Sequence, residues 1–302
     1  MKHVLKMGDL SKDEIIGILD LADELKKKNK DGVEFKPLKD KTLGMIFQKS
    51  STRTRVSFEV GMYQLGGYPL FLSSADLQIG RGEPVEDTAR VLSRYLDGIM
   101  IRTFAQQEVE DLAKYGSIPI INGLTDYAHP CQVLADLQTI REYKKDFNGL
   151  KMAYIGDGNN MANSLIVGCL KVGMNVACAI PDGYYPADDV LAFAKGFAGF
   201  TISGDLMAAA KDADVLITDV WASMGHESQV EARKKAFQGI QINGDVMAVA
   251  KKDAIVQHCL PAHKGEEITK DVFEAHAQEI FDEAENRLHA QKAVMTLLMS
   301  GH

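Results

Sequence analysis

The stretch Thr42-Leu43-Gly44-Met45-Ile46-Phe47-Gln48-Lys49-Ser50-Ser51-Thr52-Arg53-Thr54-Arg55 passes from an apolar run into a polar one within a few residues. Leu43, Met45, Ile46 and Phe47 lie in a segment short enough for a buried strand. Beyond it Val56, Val60 and Tyr63, with Phe58, Met62 and Leu65 beside them, recur at helical spacing until Gly66-Gly67 ends the pattern. The implied order is strand, polar loop, helix start. A helix start carries free N–H groups and a partial positive charge. Here the chain adds Arg53, Arg55 and four hydroxyls, with no carboxylate before Glu59. Arginines at that place oppose the dipole by roughly 0.3 to 1 kcal/mol each unless an anion sits among them. The stretch therefore reads as an anion pocket. A plain Ser N-cap with solvated arginines is the alternative, and it leaves the density of donors unexplained.

The same alternation continues outward on both sides. A helix is expected over 11–28, the strand over 42–47, a helix over 53–65, and then a polar loop holding Gln78, Gly80 and Gly82. A helical stretch at 84–96, a strand at 98–101 ending in Arg102, a helix near 107–115 and a strand at 118–121 follow. Pro130 suits the first position of a helix whose Val133, Leu134, Leu137 and Ile140 share a face. A second set has strands at 151–155, 175–180, 215–218 and 254–258, with 181–186 as a loop and a closing helix after Asn286. The pattern is α/β: two domains, each a mostly parallel sheet flanked by helices, joined by interdomain helices. The first domain is expected over 1–142 and the second over 143–285.

With 302 residues, 46% hydrophobic and 25% charged, the chain has ordinary globular composition. A net charge of -8 disfavours nucleic acid as a partner and points the local arginines at a small anion. Cys131, Cys169, Cys178 and Cys259 form no CxxC pair, which fits free thiols, no structural zinc and a reducing compartment. Met-Lys-His-Val-Leu-Lys leads straight into an amphipathic segment, and no apolar run approaches ~18 residues. A cytoplasmic protein with no membrane partner is expected.

Further motifs stand at strand ends, where open parallel sheets collect ligands. Arg102 can share the pocket of Arg53, although a strand-end arginine alone is more often a surface ion pair. His129-Pro130-Cys131-Gln132 places an imidazole and an amide within one helical turn. Gly156-Asp157-Gly158-Asn159-Asn160-Met161 has the form of a nucleotide-binding turn, but Met161 stands where the third glycine belongs. Its asparagines suit a polar ligand such as an amino acid, or else serve turn chemistry. Asp219-Val220-Trp221-Ala222-Ser223-Met224-Gly225 sets a carboxylate able to bind an amine beside the one tryptophan; Asp219 could equally cap the strand. In His258-Cys259-Leu260-Pro261, neighbouring side chains on a strand point to opposite faces, so His258 and Cys259 do not pair easily.

Taken in order, Ser51-Thr52-Arg53-Thr54-Arg55, His129-Pro130-Cys131-Gln132 and His258-Cys259-Leu260-Pro261 closely resemble the aspartate/ornithine carbamoyltransferase superfamily, nearly end to end. The loops at 157–160 and 219–225 look like those of its ornithine-using members. The resemblance implies transfer of a carbamoyl group from carbamoyl phosphate to the δ-amine of L-ornithine, giving citrulline and phosphate in arginine metabolism, with no metal or organic cofactor. It implies that Ser51, Thr52, Arg53 and Thr54 hold the phosphate with Arg102. Gln78 would reach across from a neighbouring subunit of a homotrimer. His129 and Gln132 would hold the carbamoyl group, and Cys259, Leu260 and Arg287 would complete that site. Asn160, Asp219, Ser223 and Met224 would bind ornithine, and Arg102, His129, Asp219 and Cys259 would be catalytic. A C-terminal helix over about 286–302 is expected to pack back on the first domain. Carbamoylation of putrescine or an N-acylated ornithine, a nucleotide-dependent dehydrogenase and a non-catalytic anion binder are the competing readings.

Overall fold

The computed structural model describes residues 1–222 and 230–301. The chain divides into two compact units, Met1–Ala135 with Asn286–His302, and Asp136–Glu285. In the first unit β1 (Thr42–Phe47), β2 (Tyr68–Ser73), β3 (Gly98–Arg102) and β4 (Ile120–Leu124) form a parallel sheet in the order β2-β1-β3-β4. Helices α1 (Lys12–Lys30), α2 (Thr52–Gln64), α3 (Val85–Leu92) and α4 (Gln106–Tyr115) alternate with these strands, and α5 (Pro130–Lys144) follows β4. Ile46, Ile99, Ile101, Val109, Leu112 and Ile120 pack into one apolar cluster between strands and helices.

In the second unit β5 (Lys151–Ile155), β6 (Asn175–Ala179), β7 (Phe200–Ser203), β8 (Val215–Thr218) and β9 (Ile255–His258) form a second parallel sheet, ordered β7-β6-β5-β8-β9. Its helices are α6 (Asn160–Val172), α7 (Asp188–Ala194), α8 (Leu206–Ala210), α9 (Val230–Ala236), α10 (Gly244–Val249) and α11 (Lys270–Ala275), and α12 (Ala277–Met299) closes the chain. Parallel strands need long crossovers, and the helices supply them. The two-sheet α/β architecture expected from the alternation is the one observed.

The observed elements differ from the expected ones in several places. The segment 68–73, to which no strand was assigned, is the edge strand β2, where Pro69 tolerates a missing ladder bond. The last helix begins at Ala277 rather than after Asn286. By compactness the chain divides at Ala135, inside α5. That helix is buried on all sides from Pro130 to Ile140, polar residues included, where a single apolar face was expected.

Candidate active site

In each sheet the strand order reverses once, between β1 and β3 and between β5 and β8, and ligands in open parallel sheets settle at such points beyond the carboxyl ends of the strands. At the first, Phe47 and Arg102 are register partners, and the Gln48 N–H donates to the Arg102 carbonyl at 2.9 Å. Ser51 is the N-cap of α2, its Oγ accepting from the Thr54 N–H at 3.2 Å. This leaves Thr52 and Arg53 exposed and Thr54 buried on the first turn. Lys49 and Arg55 do not join the pocket. Lys49 turns to Asp126, and Arg55 donates to Glu59 at 3.0 Å and lies 3.7 Å from the centre of the Phe71 ring.

The remaining cations come from three different elements. His129, buried just ahead of α5, has its pKa driven well below the usual imidazole value by burial and then by the charges of Arg287, Arg102 and Arg53. The charges of three guanidiniums thus add to burial in favouring the neutral imidazole. Arg287 on α12 donates to Gln132 Oε1 at 2.6 Å and reaches Thr54 Oγ1 at 3.4 Å. Cys131 donates to the Asn122 carbonyl, and burial pushes its thiol up to about 12. Gln78 sits exposed in a short 3-10 turn after β2, outside these contacts.

At the second reversal the polarity is opposite. β8 pairs with both β5 and β9, Thr218 standing in register with Ile155 and with His258. Asp219, buried at the end of β8, accepts on Oδ1 from the Cys259 thiol at 3.1 Å and from the Val220 N–H at 2.8 Å. Its Oδ2 accepts from Asn159 Nδ2 at 2.8 Å. Asn159 Oδ1 meanwhile caps α6, accepting from the Met161 and Ala162 N–H groups. Burial first, and then the Asp219 charge, pushes the Cys259 thiol well above its ordinary range, so it stays protonated and donates. Asn160 is buried on the first turn of α6, and Leu260 follows Cys259 with φ +59°. Ser223 and Met224 lie outside the described residues.

The turn that resembles a nucleotide fingerprint is filled by the chain itself. Gly158 donates to the Tyr184 carbonyl at 2.9 Å, and a Cβ there would lie 2.2 Å from that oxygen and 2.4 Å from Pro186 N. Backbone occupies the space a pyrophosphate would need. Among the described residues, His263, Glu266 and Glu267 bring potential metal-ligand atoms within 4.8 Å of one another. Glu266 is already matched by Lys234 at 2.9 Å and Glu267 by His258 at 2.9 Å.

Comparison with known proteins identifies the family. Residues 2–142 match the aspartate/ornithine carbamoyltransferase carbamoyl-P binding domain, and 148–298 match the Asp/Orn binding domain. The chain belongs to the aspartate/ornithine carbamoyltransferase family. An ornithine carbamoyltransferase from Oceanobacillus iheyensis is 60% identical over 304 residues, covering 99% of this chain and 94% of that protein. The solved ornithine carbamoyltransferase from Pyrococcus furiosus superposes with a TM-score of 0.95 at 50% identity, covering 100% of this chain and 98% of that one. An anabolic ornithine carbamoyltransferase from Campylobacter jejuni gives 0.93 at 45% identity, covering 99% of each.

Within this member of the carbamoyltransferase family, some partners escaped sequence reasoning. Gln291, with its amide turned to satisfy its neighbours, accepts from Arg287 Nη2 at 2.8 Å and donates to Ser57 Oγ at 2.6 Å. Its i, i+4 spacing from Arg287 was the available signal. Arg233 forms a buried ion pair with Asp157 at 2.6 Å and donates to the Trp221 carbonyl at 3.0 Å. Trp221 is an anchor rather than a ligand wall: its Nε1 donates to the Ile240 carbonyl and its ring stacks on Phe237. His258 and Cys259 do not pair; one turns to Glu267 and the other to Asp219.

Proposed function

We propose that the chain transfers the carbamoyl group of carbamoyl phosphate to the δ-amine of L-ornithine, releasing L-citrulline and phosphate. The observation that carries this reading is His129, kept neutral by burial and by Arg287, Arg102 and Arg53 around it. Such convergence of positive charge is stable when a strongly charged anion sits within it. Ser51, Thr52, Arg53, Thr54 and Arg102 hold the phosphate, and His129, Gln132 and Arg287 hold the carbamoyl carbonyl and amide. Ornithine as acceptor is supported by the relatives above, which carry that name. Asp219 and Asn160 bind it, with Ser223 and Met224.

The amine nitrogen attacks the carbonyl carbon, a C–N bond forms, and the bond from carbon to the phosphate oxygen breaks. Negative charge grows on the carbonyl oxygen in between, and Arg102, Thr54 and the neutral His129 donate to it; loss of one such donor costs about 2.7–4 kcal/mol. The attacking ammonium sheds two protons in all, one taken by the departing phosphate oxygen and one released to solvent. Taking the lysine reference of ~10.4 for it, neutrality at pH 7 costs about 4.6 kcal/mol. A bare carboxylate at Asp219 would oppose that loss. The Cys259 S–H and the Asn159 amide, both donating to it, spread its charge and temper the opposition. With its thiol pushed up, Cys259 acts here as a donor rather than as a thiolate base.

Arginine metabolism is the setting this activity implies, and the four free cysteines suit a cytoplasmic location. Among the described residues no helix is long and apolar enough to cross a membrane. A homotrimer belongs to the same reading, supported by Val56, Val60 and Tyr63 along one exposed face of α2, Tyr63 being 75% exposed. The test is a colorimetric citrulline assay with carbamoyl phosphate and, in parallel, ornithine, putrescine, N-acetylornithine and aspartate. Turnover confined to ornithine is expected, and its absence overturns the assignment. Light scattering should give three times the 33.2 kDa chain mass, and a monomer would exclude the trimer.

A further inference from the structure

We propose that the buried pair His258–Glu267 is a positioning device that aims the Cys259 thiol at Asp219, with Glu267 as the acceptor that fixes the His258 ring. The proposal rests on the reading of Asp219 and Cys259 as the amine-binding pair. His258 ends β9 with both ring nitrogens engaged. Its Nδ1 accepts from the Leu260 N–H at 2.9 Å, so the hydrogen of the neutral ring is on Nε2. Nε2 lies 2.9 Å from Glu267 Oε1 and donates to it. Both side chains are fully buried.

The consequence is felt on either side of Cys259. Leu260 holds φ +59°, a strained left-handed conformation that survives only where neighbours over-determine it. The bond to His258 Nδ1 is one such constraint, and it exists only while the ring keeps this tautomer. On the other side the His258 N–H donates to Glu283 Oε2 at 2.8 Å. Cys259 is thus held between two pinned neighbours, and its Sγ reaches Asp219 Oδ1 at 3.1 Å. Glu267 Oε1 does the accepting, from the ring and from the His263 N–H at 2.6 Å, while Oε2 is buried with no hydrogen-bond partner. An amide oxygen at the same place would serve as well, so the role belongs to one acceptor atom rather than to the charge.

Two substitutions separate aim from packing, Glu267→Gln and Glu267→Ala, in the full chain. Two readouts are taken: KM for each substrate, and alkylation by iodoacetamide at pH 8 counted by mass spectrometry. Cys131, Cys169 and Cys178 are fully buried and Cys259 is half-buried, so labelling of the folded chain reports Cys259. The ionisable groups that face it are Asp219, Glu283, Asp136 and Tyr154. The thiolate is the reacting form, so a thiol turned away from Asp219 reacts faster. Glu267→Ala is expected to label once per chain and about tenfold faster, a shift of one pKa unit. Its ornithine KM should rise about tenfold while the carbamoyl phosphate KM stays within about twofold, the split expected for one misaimed acceptor group. Glu267→Gln should behave as the parent. Unchanged labelling and KM in Glu267→Ala overturn the proposal. Labelling of all four thiols overturns it too, since that is loss of packing. Glu267→Gln behaving like Glu267→Ala removes the acceptor role. If the parent enzyme made no citrulline the functional reading would fall, yet the labelling would still judge the aim of Cys259.

Discussion

The reversal between β1 and β3 and the reversal between β5 and β8 share a topology and differ in what the strand ends carry. At the first, guanidiniums from α2, β3 and α12 surround a neutral imidazole. At the second, one carboxylate has both oxygens taken by a thiol, a backbone N–H and an amide. The first site gathers positive charge from three elements, whereas the second disperses one negative charge over three donors. On the proposed function the first would bind an anion, and the second would offer an ammonium a carboxylate whose charge three donors already share. Polarity of a strand-end site is set by a few side chains, and the sheet beneath dictates only where they stand.

Substitutions can break this contrast in order of severity. Arg53→Ala removes one of the three cations, and kcat/KM for carbamoyl phosphate is expected to fall at least ~100-fold, since bonds to charged groups contribute about 1.5–3 kcal/mol before unpaired neighbours are counted. Steady-state kinetics with calorimetry of phosphate binding checks it; near-normal values would remove the pocket assignment. Asp219→Asn keeps shape and loses charge. Ornithine kcat/KM should fall about 10- to 50-fold with phosphate affinity retained, a loss of about 1.5–2.5 kcal/mol. Equal damage to both substrates would point to misfolding and not to a divided site.

Gln291→Leu probes the first site at one remove, because Gln291 touches Arg287 and Ser57. A rise of about three- to fivefold in carbamoyl phosphate KM is expected, near 1 kcal/mol for one hydrogen bond. The smallest effect is on stability. His129 has a folded pKa below its unfolded value of ~6.5, so its contribution is complete above that value and is lost as pH falls toward the folded one. Thermal unfolding between pH 7.5 and 5 should therefore decline more steeply in the parent than in His129→Gln. Parallel curves would mean that the imidazole is not held neutral.

What was legible in the sequence follows the same division. Arg102 and Asp219 stand at the ends of short apolar runs and Ser51 and Arg53 within a few residues of one, so strand-end logic draws attention to them without help. Arg287 sits within a long helix and carries no local mark; resemblance alone brought it in. Adjacent asparagines were harder to separate, since Asn159 performs the capping role that turn chemistry allows while Asn160 begins the helix. Glu267 escaped because its partner lies across a loop, at a separation no periodicity encodes. Lys49 and Arg55 read as pocket residues because their partners Asp126 and Glu59 lie elsewhere in the chain or on the far side of a helix turn. No strand was expected at β2, and its Pro69 is compatible with one only because β2 lies at the sheet edge.

The glycine turn after β5 carries a last lesson. Residues 184–186 lie so close to Gly158 that they act as a stopper built from the chain's own peptide. Replacing Met161 by glycine would complete a cofactor signature on paper and leave the bottle corked. Converting this scaffold to redox work would call first for rebuilding the loop after β6, a change of several residues in a place no fingerprint mentions.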